Sequence, residues 1–110
     1  MPAGPLHGVM DTDAYVYTFG MTNSEIEDVL RANDTGVLSL ADGGTPYAVP
    51  VSYYYDGESV WLRLSDDGHS EKMAFVEATT EPCFLVYGVE ADHSWSVLMR
   101  GRLERDDDAF

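Results

Sequence analysis

The chain has 110 residues, which gives one domain and no room for a second core. Twenty acidic residues against six basic ones leave a formal charge of −14, and no basic face for nucleic acid can be assembled from that balance. An apolar share of 45% excludes a disordered chain.

The acids are spread along the chain, with only short runs such as Asp106, Asp107 and Asp108. A localised acidic tail would read as a docking arm; dispersed acidity makes the whole surface acidic. Such a surface stays hydrated when salt is high enough to screen its self-repulsion, so halophilic adaptation is expected. Cys83 is the single cysteine, which rules out an internal disulfide. No apolar run reaches about 18 residues, and the N-terminus lacks a cationic stretch followed by an apolar one. The expected location is the cytoplasm, with no membrane partner.

Residues 1–20 open with Pro2, Gly4 and Pro5 and read as an irregular N-terminal extension, with a short extended piece at Tyr15, Val16 and Tyr17. The domain proper is expected over 21–110. Thr22 with Glu25 makes a capping box, and Met21 with Ile26 the matching hydrophobic staple. Ile26, Val29 and Leu30 share one face at helical spacing, so a helix runs to about Ala32. Asn33 to Gly36 stops it. Strands are then expected at Val37–Leu40, Tyr47–Tyr55 and Ser59–Ser65, with turns at 41–44 and at Asp56-Gly57. A second helix is placed near Ser70–Thr79, with Ser70 as its N-cap. Pro82 closes it. Cys83–Val89 reads as a strand, 90–93 as a turn, and Ser94–Arg105 as one long final strand. In that strand Trp95, Val97, Met99, Gly101 and Leu103 alternate with more polar residues, which gives one buried face. The sum is mostly antiparallel β structure with helical caps.

Chemistry-bearing motifs are sparse. There is no nucleophile elbow, phosphate-cradling Gly-Lys-Ser/Thr loop or dinucleotide fingerprint. His7, His69 and His93 lie far apart and, with one cysteine, form no metal-ligand spacing. Lys72 is the only lysine, and it falls in the first turn of the second helix beside Ser70. Free amides, a hydroxyl and an ammonium together suit a phosphate. The plainer reading is a solvated lysine next to an ordinary cap. In Val49-Pro50-Val51-Ser52-Tyr53, Pro50 cannot donate to a central ladder and marks an edge or a bulge. Such an interruption exposes backbone to a flat ring; equally, it is a bent wall with Tyr53 and Tyr55 in the core. Arg63 shares a strand face with Trp61 and Ser65, as a cation with a task or as a surface partner for an acid.

Taken together, residues 22–105 resemble the pyridoxamine 5′-phosphate oxidase-like family of FMN-binding split barrels. Gly36-Val37-Leu38-Ser39-Leu40 is similar to the family's first barrel strand. Gly44-Thr45-Pro46-Tyr47 leading to Val49-Pro50-Val51-Ser52-Tyr53 resembles its second, which runs beside the flavin. Ser70-Glu71-Lys72 is similar to the family's Ser-Arg-Lys, which holds the FMN phosphate. Trp95 to Glu104 resembles its later strand. The chain departs from the pattern at Glu71 (for arginine), at Ser96 (for a flavin-contacting glutamine), and at Val49 and Tyr54 (for arginine and lysine). It also ends before the segment that carries pyridoxal-binding residues in true oxidases, so pyridoxamine oxidation itself is not expected.

The resemblance implies a six-stranded, Greek-key-like antiparallel barrel and a homodimer holding FMN in a groove between subunits. It implies that Lys72, Ser70 and Arg63 or Ser65 hold the phosphate, that Pro50, Val51, Ser52 and Tyr53 line the ring, and that Ser96 contacts it. The closer likeness is to short relatives whose substrate is unassigned, and a halophilic archaeal source is expected. A deazaflavin or a haem is the alternative ligand within the redox class. A barrel that has lost flavin and serves as a small-ligand-binding or structural module is the alternative outside it.

Overall fold

The computed structural model describes residues 5–11, 15–17, 20–65 and 71–105. The first helix, α1 (Asn23–Ala32), begins on the capping box that the sequence contains. Glu25 N donates to Thr22 Oγ1 at 3.2 Å, and Thr22 N donates to Glu25 Oε1 at 3.0 Å. The Thr22 amide first, and its hydroxyl second, hold the Glu25 carboxyl below its ordinary pKa. Met21, Ile26 and Val29 pack against the core, and Leu30 enters it. At the other end Asn33 Nδ2 donates to Val29 O at 2.7 Å and Tyr53 OH donates to Leu30 O at 2.8 Å. Two carbonyls that the last helical turn cannot satisfy thus find partners outside it.

Eight strands follow in chain order: β1 (Pro5–Asp11), β2 (Tyr15–Tyr17), β3 (Thr35–Asp42), β4 (Thr45–Tyr55), β5 (Ser59–Ser65), β6 (Cys83–Val89), β7 (Ser94–Arg100) and β8 (Leu103–Arg105). A second helix, α2 (Glu71–Ala78), lies between β5 and β6. β3, β4 and β5 form consecutive antiparallel hairpins, and β6 returns after α2 to pair with β3. That is a Greek key. β7 pairs with β6, β2 with β7, and β1 with both β5 and β8. Only two residues separate β7 from β8 and three separate β1 from β2, so each pair acts as one wall. The eight strands therefore close into six walls, in the order β1/β2, β5, β4, β3, β6, β7/β8.

The N-terminal segment thus differs from its reading as an irregular extension. Residues 5–11 pair with all of β5, and Pro5 sits at the strand's first position, where a missing amide costs least. The long final strand also differs, since it breaks at 101–102. There Gly101 N still donates to Pro82 O at 3.3 Å, one step past Cys83↔Arg100 in the β6–β7 register, but Pro82 has no amide to return the bond and the ladder ends.

Strict alternation fills the interior. Leu38, Val60, Leu62, Phe84, Val86, Val97 and Met99 are fully buried, and Val51, Tyr53 and Tyr55 supply the inner face of β4. Gly36 opens β3 as a glycine for a steric reason. A Cβ there would run into the Phe84 ring and come within 2.7 Å of Leu85 O. At one end Phe75 of α2 stacks on Tyr47 at 4.9 Å, and the Thr79 hydroxyl accepts from Ala41 N at 3.0 Å. The β4–β5 turn rests on Asp56, whose Oδ1 accepts from Glu58 N and Ser59 N, each at 2.8 Å, and whose Oδ2 accepts from Trp61 Nε1 at 2.9 Å. The indole first, then the Ser59 and Glu58 amides, hold the Asp56 carboxyl below its ordinary pKa. Gly57 carries the positive φ of +99° that this turn needs. No helix among the described residues is long and apolar enough to cross a membrane.

Candidate functional site

β4 is paired along both edges only at Ser52. Thr45 to Ser52 pair with β3, whereas β5 pairs only with Ser52–Tyr55. From Thr45 to Val51 the second edge of β4 has no strand partner among the described residues, and Pro50 stands inside that stretch. Of the two expectations for Pro50, an edge or a bulge, the edge matches this geometry, and β4 runs unbroken through it. Here the barrel wall parts and leaves backbone groups available to a ligand.

Alternation then decides which side chains reach the parted edge. Val51 and Tyr53 were expected beside the ring, yet their exposure is 5% and 6% and they face the core, so they offer only backbone there. Burial pushes the Tyr53 phenol up to about 12, with the Asp34 charge as the lesser cause. Pro50, Ser52 and Tyr54 point outward, and Tyr54 is 61% exposed. The sequence reading named Tyr54 only as a departure from the family pattern.

Ser52 is directly opposite Arg63 on β5 and opposite Thr35 on β3, and all three are exposed on the outer face. Side chains so placed have Cβ atoms about 5 Å apart. Arg63 has no carboxylate partner among the described residues, although acids outnumber bases more than threefold in this chain. Ser65 is the last residue of β5. Lys72 is half-buried in the first turn of α2, next to exposed Glu71. Ser70, expected as the cap of that helix, lies outside the described residues. Four candidates, Pro50, Ser52, Arg63 and Ser65, thus share adjoining stretches of two neighbouring walls, and Lys72 opens the helix that follows them.

Ser96 is elsewhere. It is exposed on β7, opposite Tyr87 of β6. Among six walls, β4 and β7/β8 are three steps apart in either direction, so Ser96 and Ser52 occupy opposite sides of the barrel.

Ser96 instead borders an open cleft of about 800 Å³ between α1 and the β6–β7 hairpin. Its lining includes Val29, Tyr87, Val89 and Trp95 together with Glu25, Asp28, Glu90 and His93, and no lysine or arginine. The sequence reading missed it. A signal was available, since β6 is apolar on both faces, with Phe84 and Val86 inward and Leu85, Tyr87 and Val89 outward. His93 turns back on the hairpin, with Nε2 2.7 Å from Glu90 and Nδ1 3.2 Å from Asp92.

The Greek-key closure, the two capping helices and the parted β4–β5 edge define a split barrel. A family model for pyridoxamine 5′-phosphate oxidase matches residues 22–109, most of the chain. The chain belongs to the pyridoxamine 5′-phosphate oxidase family, a flavin-binding split-barrel family. No curated protein and no solved structure matches it.

Proposed function

We propose that the protein is an FMN-binding redox protein that works as a homodimer, with the cofactor held between two copies. The observation that carries this is the register pair Ser52–Arg63 beside the parted edge of β4. A hydroxyl, a guanidinium with no carboxylate partner among the described residues and the Lys72 ammonium nearby in the chain suit a phosphate, and the exposed backbone of 45–51 suits the polar rim of a flat heteroaromatic ring. Exposed Glu71 opposes the phosphate, so binding rests on the two cations outweighing one carboxylate. A bound flavin supplies hydride or electron transfer; the chain's own residues bind and orient it.

The dimer reading has its own support. Pro50, Val37, Leu85 and Leu98 follow one another in register across β4, β3, β6 and β7, on the outer face. Four apolar side chains in a row, three of them half-buried, make a surface that a second copy can cover. A second copy also resolves the opposition of Ser96 and Ser52, because each copy contributes a different wall to one groove. The proposed setting is the cytoplasm.

The test is the absorbance of protein purified in molar KCl, followed by FMN titration with quenching of flavin fluorescence. Yellow protein with flavin bands supports the reading. Lys72→Ala and Arg63→Ala should each weaken FMN about tenfold, since a charge-assisted phosphate contact contributes about 1.5 kcal/mol or more. Protein that stays colourless with excess FMN refutes it. That outcome supports the flavin-free binding module favoured by Glu71, while a Soret band would point to haem.

A further inference from the structure

The cleft between α1 and the β6–β7 hairpin has a composition opposite to that of the phosphate corner. One side is α1, which presents Asp28 and Val29; the other is the hairpin, which presents Tyr87, Val89, Glu90 and Trp95. The Trp95 indole is fixed in place. It lies across Gly88, where any Cβ would collide with it, and it packs against the core. Tyr87 and Val89 are 53% and 77% exposed, unusually open for apolar side chains on a strand. Glu25 is committed to its cap and Glu90 to His93, whereas the Asp28 carboxylate has no partner among the described residues. Beyond Leu98 toward Ser94, the outer edge of β7 has no strand partner among the described residues either.

A pocket of about 800 Å³ falls in the range that holds a small organic molecule. Its aromatic and aliphatic side chains suit a ring or an alkyl body. An aromatic face favours a cation over a neutral group, and the lining carboxylates reject anions. We infer that this cleft is a binding site for a small organic cation, an ammonium carried on a ring or an apolar body, with Asp28 as the charge partner and Tyr87 and Trp95 as the aromatic contacts. In molar salt the screening length falls to about 3 Å, so only contact pairs discriminate by charge, and Asp28 is placed to make one. The cleft borders Ser96, which makes the same cation the substrate class of the redox protein; that clause alone rests on the flavin reading.

The experiment follows the Trp95 indole N–H resonance in molar KCl, identified with a Trp61→Phe variant that leaves Trp95 as the only tryptophan. Benzyltrimethylammonium, benzyl alcohol and benzoate are titrated in turn. The cation should shift the resonance saturably, with the alcohol and the anion about tenfold weaker or inactive. Asp28→Asn and Tyr87→Ala alter exposed side chains and should each weaken the cation about threefold, with the melting temperature unchanged. Equal binding of cation and alcohol, a shift that does not saturate, or wild-type affinity in both variants overturns the inference. The titrations are run with and without FMN. Colourless protein that binds the cation removes the flavin and leaves the cleft, whereas yellow protein indifferent to the cation does the reverse.

Discussion

Tyr53→Phe removes a single oxygen and should change both the stability and its dependence on pH. The hydroxyl donates to Leu30 O at 2.8 Å, one of the carbonyls left over by the end of α1. Without it that acceptor lies unpaired under a side chain that is 6% exposed, which costs about 1–2 kcal/mol at neutral pH. The phenol's pKa is pushed from 10.0 to about 12, by burial first and by Asp34 second. A raised pKa means that the folded chain keeps a proton that the unfolded chain gives up above pH 10. The stabilisation is complete below pH 10, declines as the pH rises and levels off near 12. Two units at 1.36 kcal/mol each, discounted because the phenol keeps some solvent, amount to about 2 kcal/mol. Denaturant unfolding in molar KCl, followed by circular dichroism between pH 9 and 12, measures both quantities. The two proteins share every group but this hydroxyl, so the difference between their curves isolates it. If the variant loses stability above pH 10 as steeply as the wild type, the buried Tyr53–Leu30 bond is not the cause and the packing of α1 on β4 has been misjudged.

Gly36→Ala should destabilise the fold by about 3 kcal/mol, because the new methyl meets the Phe84 ring and Leu85 O. Adding Phe84→Leu should recover only part of this, since the carbonyl clash remains; a melting temperature equal to wild type would contradict the close approach. Leu85→Glu places a charge in the apolar row across β3 and β6 and should convert a dimer to a monomer in sedimentation, with far-UV circular dichroism retained; an unchanged mass would move the interface elsewhere. Lowering KCl from molar to 0.1 M should reduce the melting temperature, because every described acidic side chain is exposed and the formal charge is −14. Equal melting at both salts would remove the halophilic explanation.

The sequence announced the elements that local chemistry decides. The Thr22–Glu25 box, the Asp56-Gly57 turn and the strand runs 59–65 and 83–89 each state their structure within a few residues, and each is found. What it concealed depends on partners far along the chain. Pro5–Asp11 has little periodicity of its own and becomes a strand because β5 and β8 supply edges on both sides. The break at 101–102 depends on Pro82, which lies nineteen residues earlier than Gly101. The candidate site divided in the same way. Ser52 and Arg63 could be placed on outward faces by parity alone, but their register requires the hairpin, and the acidic cleft requires α1 to be packed beside the β6–β7 hairpin.

That division also explains how an anion and a cation can both have a place on one strongly acidic molecule. In dilute salt the field of −14 charges would penalise any phosphate, wherever it bound. At molar salt the field reaches only about 3 Å, and the total charge matters less than the groups in contact. The chain has six basic residues; Arg63 and Lys72 belong to the β5–α2 side, and among the described residues none lines the cleft between α1 and the β6–β7 hairpin. Because β4 and β7/β8 are opposite walls, these two environments stay apart on one copy and can meet only across two. A groove so formed would have a cationic end and an anionic end. A phosphate-bearing ring and an ammonium-bearing partner would enter it from opposite sides.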